Sequence, residues 1–225
     1  MSLIEDGVLG VHIVAGFLAL GAGAGAALTT KGGRRHRRFG RVYVYAMAVV
    51  STTALGLLTI EQSVGRIVLG LIAVFSFYFA FSGYRVLSRK RAIDTPGTAD
   101  WVGLAAFVAS AVGMLGAGAW FLLTGVTFGT VLVVFGVIAL VFARADVVAF
   151  RASDLDPRAW FFEHIRRMGG AYIATISAFT VVNATFLPTV ARWLLPTVVG
   201  TLAIWYVSRQ YRQGSATNRP TETVD

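Results

Sequence analysis

Residues 101–143 read WVGLAAFVASAVGMLGAGAWFLLTGVTFGTVLVVFGVIALVFA and contain no charged residue. The stretch is long enough to cross a bilayer twice, because one transmembrane helix needs about 20 apolar residues. Thr124 and Gly125 near its middle predict a tight turn between two helices. Lipid admits only helices and closed barrels, and these runs are too long for barrel strands. The stretch therefore predicts a hairpin of two transmembrane helices.

The composition of the whole chain supports this prediction. Its 225 residues are 56% hydrophobic and 14% charged, with a mean hydropathy of +0.70, whereas soluble domains are roughly 45–50% apolar and 25% charged. A soluble protein is excluded on these grounds. The chain has no cysteine, which excludes disulfides, thiolate metal sites, iron–sulfur clusters, c-type haem attachment and cysteine nucleophiles.

Runs of about 20 apolar residues predict an all-α, polytopic transmembrane bundle of seven spans. The predicted spans are 8–30, 42–60, 64–87, 100–123, 126–150, 166–187 and 190–211. Residues 1–213 are then one transmembrane domain, and residues 214–225 form a disordered polar cytoplasmic tail. The amino end carries Glu5 and Asp6 and no basic residue before a run of span length, which argues against a cleaved signal peptide.

Basic residues give the orientation of the spans. All but two of the 20 lysines and arginines lie in alternate connections or at the carboxyl end, and the exceptions are Arg66 and Arg192. Since cytoplasmic loops are rich in Lys and Arg, we expect the amino terminus outside and the carboxyl terminus in the cytoplasm of a prokaryotic inner membrane. The net charge of +9 is explained in this way, and nucleic acid is not an expected partner.

The first two histidines lie in contrasting surroundings. His12 is inside the first span, where we favour a neutral imidazole hydrogen-bonded across helices over a functional site. His36 lies in the basic sequence Arg34–Arg38, which we interpret as a solvated loop that sets the topology. Neighbouring guanidinium groups oppose a bound divalent cation at His36, so anionic lipid headgroups at the cytoplasmic face are its more natural partners.

A stripe of polar and apolar side chains follows one face of the sixth span. It consists of His164, Met168, Tyr172, Thr175, Phe179 and Asn183. Asn and Thr are unfavourable in lipid, so the stripe is expected to face the bundle interior, toward a cavity or in interhelical hydrogen bonds. In the first span, Gly21 and Gly25 form a G-x-x-x-G pair, which predicts close packing within the chain ahead of dimerisation.

Polar residues also gather near the predicted cytoplasmic ends of other spans. They are Tyr43, Tyr78, Ser82, Arg85, Asp100 and Asp146. Together with His36, Glu163 and His164 they would form a cytoplasm-facing pocket if the bundle brings them together. Side chains that snorkel independently from helix ends would give the same pattern without a pocket.

Several cofactor sites are disfavoured by counting residues. Lys31 and Lys90 lie in loops, which removes a retinal lysine, and the histidines lie at different depths, which argues against bis-histidine haem. Zinc bound by His36, Asp146 and His164 has suitable ligand types but no supporting spacing, and is kept as a minority alternative. The sequence predicts no cofactor and no metal as its main expectation.

The chain resembles a family of prokaryotic multi-pass membrane proteins known as a domain of unknown function. The resemblance extends from His12 to Asn183. Its strongest motifs are His36-Arg37-x-x-Gly40-Arg41-x-Tyr43 and His164-Ile165-x-Arg167-Met168-x-x-x-Tyr172-Ile173-Ala174-Thr175. The resemblance implies a helical membrane protein and no particular substrate, cofactor or catalytic residue.

The leading functional expectation is binding or translocation of a small anionic or amphipathic ligand from the cytoplasmic side. The expected ligand-binding residues are Arg41, Tyr78, Arg85, His164 and Tyr172, and arginine suits an anion because its planar fork donates two hydrogen bonds. His12, His36, Asp100, Asp146 and Asn183 are expected in the surrounding polar cluster. The alternatives are a metal-dependent or redox membrane enzyme that uses His164 and Asp146, and a membrane scaffold or assembly partner. Membrane lipids are expected partners, and a homo-oligomer is compatible with the sequence.

Overall fold

A computed structural model of the protein describes residues 2–91, 93–152 and 156–217. These residues form α-helices and contain no strand. The helices are α1 Leu3–Leu28, α2 Arg34–Ile60, α3 Val64–Arg85, α4 Thr98–Leu123, α5 Gly129–Arg151, α6 Ala159–Asn183 and α7 Thr189–Thr217, and the 3-10 turn Val86–Ser88 extends α3. The helix count and the all-α class therefore agree with the sequence prediction.

Several helices begin before the predicted spans: α1 begins at Leu3 rather than 8, and α6 at Ala159 rather than 166. The differences in α2 and α7 bear on specific predictions. The basic sequence after Gly33 is not a loop, because α2 already begins at Arg34. Arginine is a good helix former, and Gly33 supplies the extended residue before the helix. At the other end of the chain, α7 continues to Thr217, into the predicted disordered tail. Residues 218–225 of that tail lie outside the described residues.

Six of the helices are long and apolar enough to cross a membrane by length and composition, namely α1 to α5 and α7. The chain thus has the make-up of a multi-pass membrane protein. Helix α6 has the length but not the hydropathy, because Arg166 and Arg167 lie near its start and its buried side chains include Thr175 and Ser177. Polar side chains of α6 make hydrogen bonds to neighbouring helices, as Arg167 does to Asp146 and Thr175 to Tyr43.

Helix α3 occupies the middle of the bundle and packs against α2, α4 and α6. Its aromatic side chains form the core. Phe75 stacks between Phe107 of α4 and Phe135 of α5, with ring centres 5.9 and 5.2 Å away, and Tyr78 stacks on Phe107 at 4.1 Å. Helix α6 packs against α3 and also contacts α1 and α7.

The two ends of the bundle differ in charge. We call the end with the α1–α2, α3–α4 and α5–α6 connections the basic end, and the other the opposite end. The two exceptional arginines of the opposite end hold helix termini together. Arg66 forms ion pairs with Glu5 and Glu61, and Arg192 donates to the carbonyl oxygen of Val181 at 3.1 Å. These contacts give Arg66 and Arg192 a structural role at the end of the bundle that otherwise has few basic residues.

Helix α1 makes its closest contacts through glycines. Gly25 packs against Phe39 of α2, whose ring would be 2.9 Å from a Cβ at this position, while Gly21 faces open space. The closest approach is instead at Gly23, where a Cβ would clash with the ring of Tyr172 in α6. Close packing within the chain is therefore found at Gly25 and Gly23, and only half of the predicted glycine pair takes part.

Candidate functional site

The basic end contains a buried ion pair between Asp146 of α5 and Arg167 of α6. Arg167 donates to both carboxylate oxygens, and its Nη1 lies 3.0 Å from Oδ2. The hydroxyl of Tyr78 donates to the same carboxylate at 2.6 Å, and Arg167 Nη1 also donates to Ser82 Oγ at 3.1 Å. Asp146 and Arg167 are each 3% exposed. We call these four residues the Asp146 cluster, and it ties together α3, α5 and α6.

A second buried carboxylate, Asp100 at the start of α4, lies at the same end. Arg85 donates to both of its oxygens, from Nε at 3.1 Å and from Nη2 at 2.8 Å, and the backbone N–H of Gly97 donates at 2.9 Å. Arg89 Nη1 is 3.6 Å from the same carboxylate. Burial lowers the pKa of Arg89, whereas the charges of Asp100 and Asp146 raise it. Arg89 therefore links the two carboxylate sites electrostatically.

The predicted ligand-binding residues are not gathered into one open pocket. Tyr78 and Arg85 are engaged by Asp146 and Asp100, and Arg41 is exposed on α2. Tyr172 donates to the carbonyl oxygen of Leu20 in α1 at 3.2 Å. Several polar residues of the basic end do come together, but in ion pairs and hydrogen bonds between helices.

His164 and His36 meet at this end of the bundle. His164 Nδ1 lies 2.8 Å from the carbonyl oxygen of Gly83, and His36 Nδ1 lies 3.0 Å from that of Ala26. Their ring centres are 6.2 Å apart. Asp146 belongs to its own cluster with Arg167, and no group of three or more metal-ligating side chains is found in the part of the chain that the structure describes. The minority zinc triad is therefore not assembled.

His12 lies in the other half of the bundle. Its Nδ1 is 3.1 Å from the carbonyl oxygen of Val50 and 2.9 Å from Thr53 Oγ1, both in α2. These are the interhelical hydrogen bonds expected of a neutral imidazole inside a bundle.

The stripe on α6 faces its neighbours for most of its length. Thr175 Oγ1 is 2.9 Å from the hydroxyl of Tyr43 in α2, and Phe179 packs edge-on against Phe17 of α1. Asn183 is exposed and donates to the carbonyl oxygen of Phe179 in its own helix. Interhelical contacts thus account for the middle of the stripe, and Asn183 does not join the polar cluster.

An open, largely apolar groove runs along the seam between α1 and α2. Its part near the basic end has a volume of about 560 Å³, and a further part of about 620 Å³ continues from it along the seam. The two parts share Leu18 and Val42. Gly21, Phe39, Arg35 and Arg38 are among the residues that line the part at the basic end. We call this feature the α1–α2 groove.

Two features of the basic end were missed in the sequence. Arg167 was counted among the basic residues and in a family motif but not among the site residues, although it shares one face of α6 with Ala171 and Thr175 at four-residue spacing, and all three are buried. That spacing could have indicated that Arg167 faces the interior of the bundle. Arg35 and Arg38 differ from the neighbouring arginines because they line the α1–α2 groove. Which arginines do so depends on the side of α2 that faces α1, and the sequence does not show that side.

No family model, curated protein or solved structure matches this chain. The family resemblance drawn from the sequence motifs therefore stays a prediction.

Proposed function

We propose that the chain is an integral protein of a prokaryotic cytoplasmic membrane with seven spans, its amino terminus outside and its carboxyl terminus inside. The alternation of basic connections supports this orientation. Helix α6 supplies the seventh span in this proposal. Its 25 residues extend about 37 Å at 1.5 Å per residue, and its buried charge at Arg167 is matched by Asp146.

We propose further that the protein binds an anionic amphipathic molecule of the phospholipid class in the α1–α2 groove. The observation that carries this proposal is the junction of an apolar channel with two arginines, Arg35 and Arg38, at one end. An acyl chain would lie along Leu18, Gly21 and Val42, and the phosphate would meet the guanidinium groups. Guanidinium binds phosphate through paired hydrogen bonds.

The start of α2 adds to the attraction for an anion. Its first turn contains no acidic residue, and no side chain caps it. A helix amino terminus carries a partial positive charge and unpaired N–H groups, and therefore favours an anion. The arginines of the sequence Arg34–Arg38 add their positive charges at this same place. Binding a phosphate there would relieve the repulsion among these cations.

The ligand class agrees with the expectation from the sequence, but the proposed site is different. Tyr78, Arg85 and Tyr172 are committed to contacts between helices, and His164 bonds to Gly83. The groove replaces them with residues of α1 and the start of α2.

Native mass spectrometry of the protein released from nanodiscs of equal phosphatidylglycerol and phosphatidylcholine tests the proposal. The wild type should retain phosphatidylglycerol selectively. Arg35→Gln/Arg38→Gln should weaken this retention about thirtyfold, because each basic residue near an anionic surface contributes about 1 kcal/mol. The matched control is Arg34→Gln/Arg37→Gln, which removes the same charge from arginines that do not line the groove. Equal loss in both double variants would contradict a specific site.

A second variant tests the acyl-chain part of the groove. Gly21→Leu adds a side chain into open space, so the fold should tolerate it while the groove is filled. Gly16→Leu is the control, since Gly16 also faces open space but does not line the groove. If neither Gly21→Leu nor the arginine variant alters lipid retention, the scaffold alternative gains over lipid binding.

A further inference from the structure

Two of the three histidines of the chain meet where α2 begins and α6 begins. His36 is half-buried although the four arginines around it are exposed, so it turns inward while they turn outward. Its ring lies 6.2 Å from that of His164, with the planes at 75°. This pair is separate from the α1–α2 groove and from the Asp146 cluster.

Backbone carbonyl groups fix the same tautomer on both rings. A carbonyl oxygen only accepts, so the Nδ1 atoms that face Ala26 O and Gly83 O carry the proton. In each neutral ring the lone pair is then on Nε2. Metal-binding histidines are held in this way, with one ring N–H on a carbonyl or carboxylate and the other nitrogen on the ion.

The separation of the rings fits two imidazoles that share one ion. An ion about 2.0 Å from Nε2 lies about 3 Å from the ring centre, so two rings on opposite sides of it have centres about 6 Å apart. An ion shared in this way would have two ligands and would lie between the two Nε2 atoms. The carboxylate next to His164 in the sequence is already taken, since Glu163 binds Arg166 and Arg167. Asp146 in α5 binds Arg167.

The surrounding charges select the ion. Arg34, Arg35, Arg37 and Arg38 flank His36, and Lys90 acts on His164 with the same sign. Repulsion grows with the charge of the ion, so a monovalent cation is disfavoured less than a divalent one. Imidazole nitrogen binds Zn, Cu, Fe and Ni, and of these metals copper has a common monovalent ion. We propose that His36 and His164 bind one Cu⁺ ion at the basic end of the bundle.

The test uses asparagine variants of the full-length protein in detergent. An asparagine amide can keep the hydrogen bond made by Nδ1 but has no counterpart of Nε2. Cu⁺ is supplied with ascorbate, and its partition between protein and the coloured chelator bicinchoninate is measured. The wild type should hold one Cu⁺ per chain. His36→Asn and His164→Asn should each weaken binding about a hundredfold or more, because losing a ligand exceeds the loss of an outer-shell partner.

His12→Asn is the matched control and should bind Cu⁺ like the wild type, because His12 lies in the other half of the bundle. Circular dichroism checks that all three variants keep their helices. Absence of Cu⁺ binding in the wild type overturns the proposal, and so does undiminished binding in either His36→Asn or His164→Asn. Loss of lipid selectivity is a separate readout, so the failure of one proposal leaves the other intact.

Discussion

Arg167 makes hydrogen bonds through all three nitrogens of its guanidinium group. Nη1 and Nη2 bind Asp146, Nη1 also reaches Ser82, and Nε binds Glu163 at 3.2 Å. A charge that is 3% exposed can be kept in a bundle only if its partners are in place. The role of this residue is therefore to hold α6 against α3 and α5.

Removing one member of the ion pair should be more damaging than removing both. Arg167→Met leaves Asp146 as a buried, unpaired charge, which costs about 3–5 kcal/mol, whereas replacing a buried pair by apolar residues is often neutral. We expect Arg167→Met to lower the melting temperature of the detergent-solubilised protein strongly. The double variant Asp146→Leu/Arg167→Met should recover most of this loss.

Arg166→Met provides the control for that prediction. It makes the same chemical change one residue earlier in α6, at an exposed position, and an exposed ion pair contributes only about 0–1 kcal/mol. Its melting temperature should stay close to that of the wild type. A double variant as unstable as Arg167→Met would show that the loss of stability does not come from leaving the Asp146 carboxylate unpaired.

Single residues also show what the sequence could reveal about the site. Asp100, Asp146, Tyr78 and Arg85 could be selected from their type and their position at span ends. Whether they line a pocket or neutralise one another depends on which helices are neighbours. That is decided by packing around α3, for which the sequence offers no spacing rule.

At the scale of helices, the seam between α1 and α6 depends on the missing side chain at Gly23. Gly23→Leu should destabilise the protein by about 1–3 kcal/mol, because overpacking forces Tyr172 away from its position. Gly16→Leu adds the same side chain to the same helix without a neighbour within 4 Å and should have little effect. Thermal melting of both variants checks the prediction. Equal changes in melting temperature would show that α1 does not approach α6 closely at Gly23.

The positions of most helices followed from hydropathy, because long apolar runs have few alternatives in lipid. The starts of α2 and α6 did not. Residues 34–41 are strongly polar, so hydropathy placed them outside the span, although nothing in their backbone preferences opposes a helix. Hydropathy reports where a helix enters lipid, and it does not report where the helix begins.

At the scale of the whole molecule, the proposed topology can be tested with single cysteines, since the natural chain has none. Thr124→Cys in the α4–α5 turn and Thr185→Cys between α6 and α7 should react with a membrane-impermeant maleimide in intact cells. Thr95→Cys, between α3 and α4, should react only after the cells are permeabilised. All three threonines are exposed, so accessibility in the fold does not bias the comparison.

Thr185 decides the number of spans. If α6 does not cross the membrane, Thr185→Cys will behave like Thr95→Cys, and the amino and carboxyl ends will lie on the same side. The sequence predicted seven spans from apolar runs, and the alternation of basic residues was used as a separate check on that count. Helix α6 is not among the six helices that are apolar enough to cross a membrane by length and composition.

The polarity of α6 has a consequence for biosynthesis. A segment with Arg166 and Arg167 near its start gains little free energy by leaving the translocon for lipid on its own. Helix α5, with Asp146 near its end, is synthesised earlier and can be inserted in the bilayer before α6 leaves the translocon. We therefore expect the carboxylate of Asp146 to recruit the next segment into the membrane, so that the order of synthesis supplies the counterion before the cation needs it.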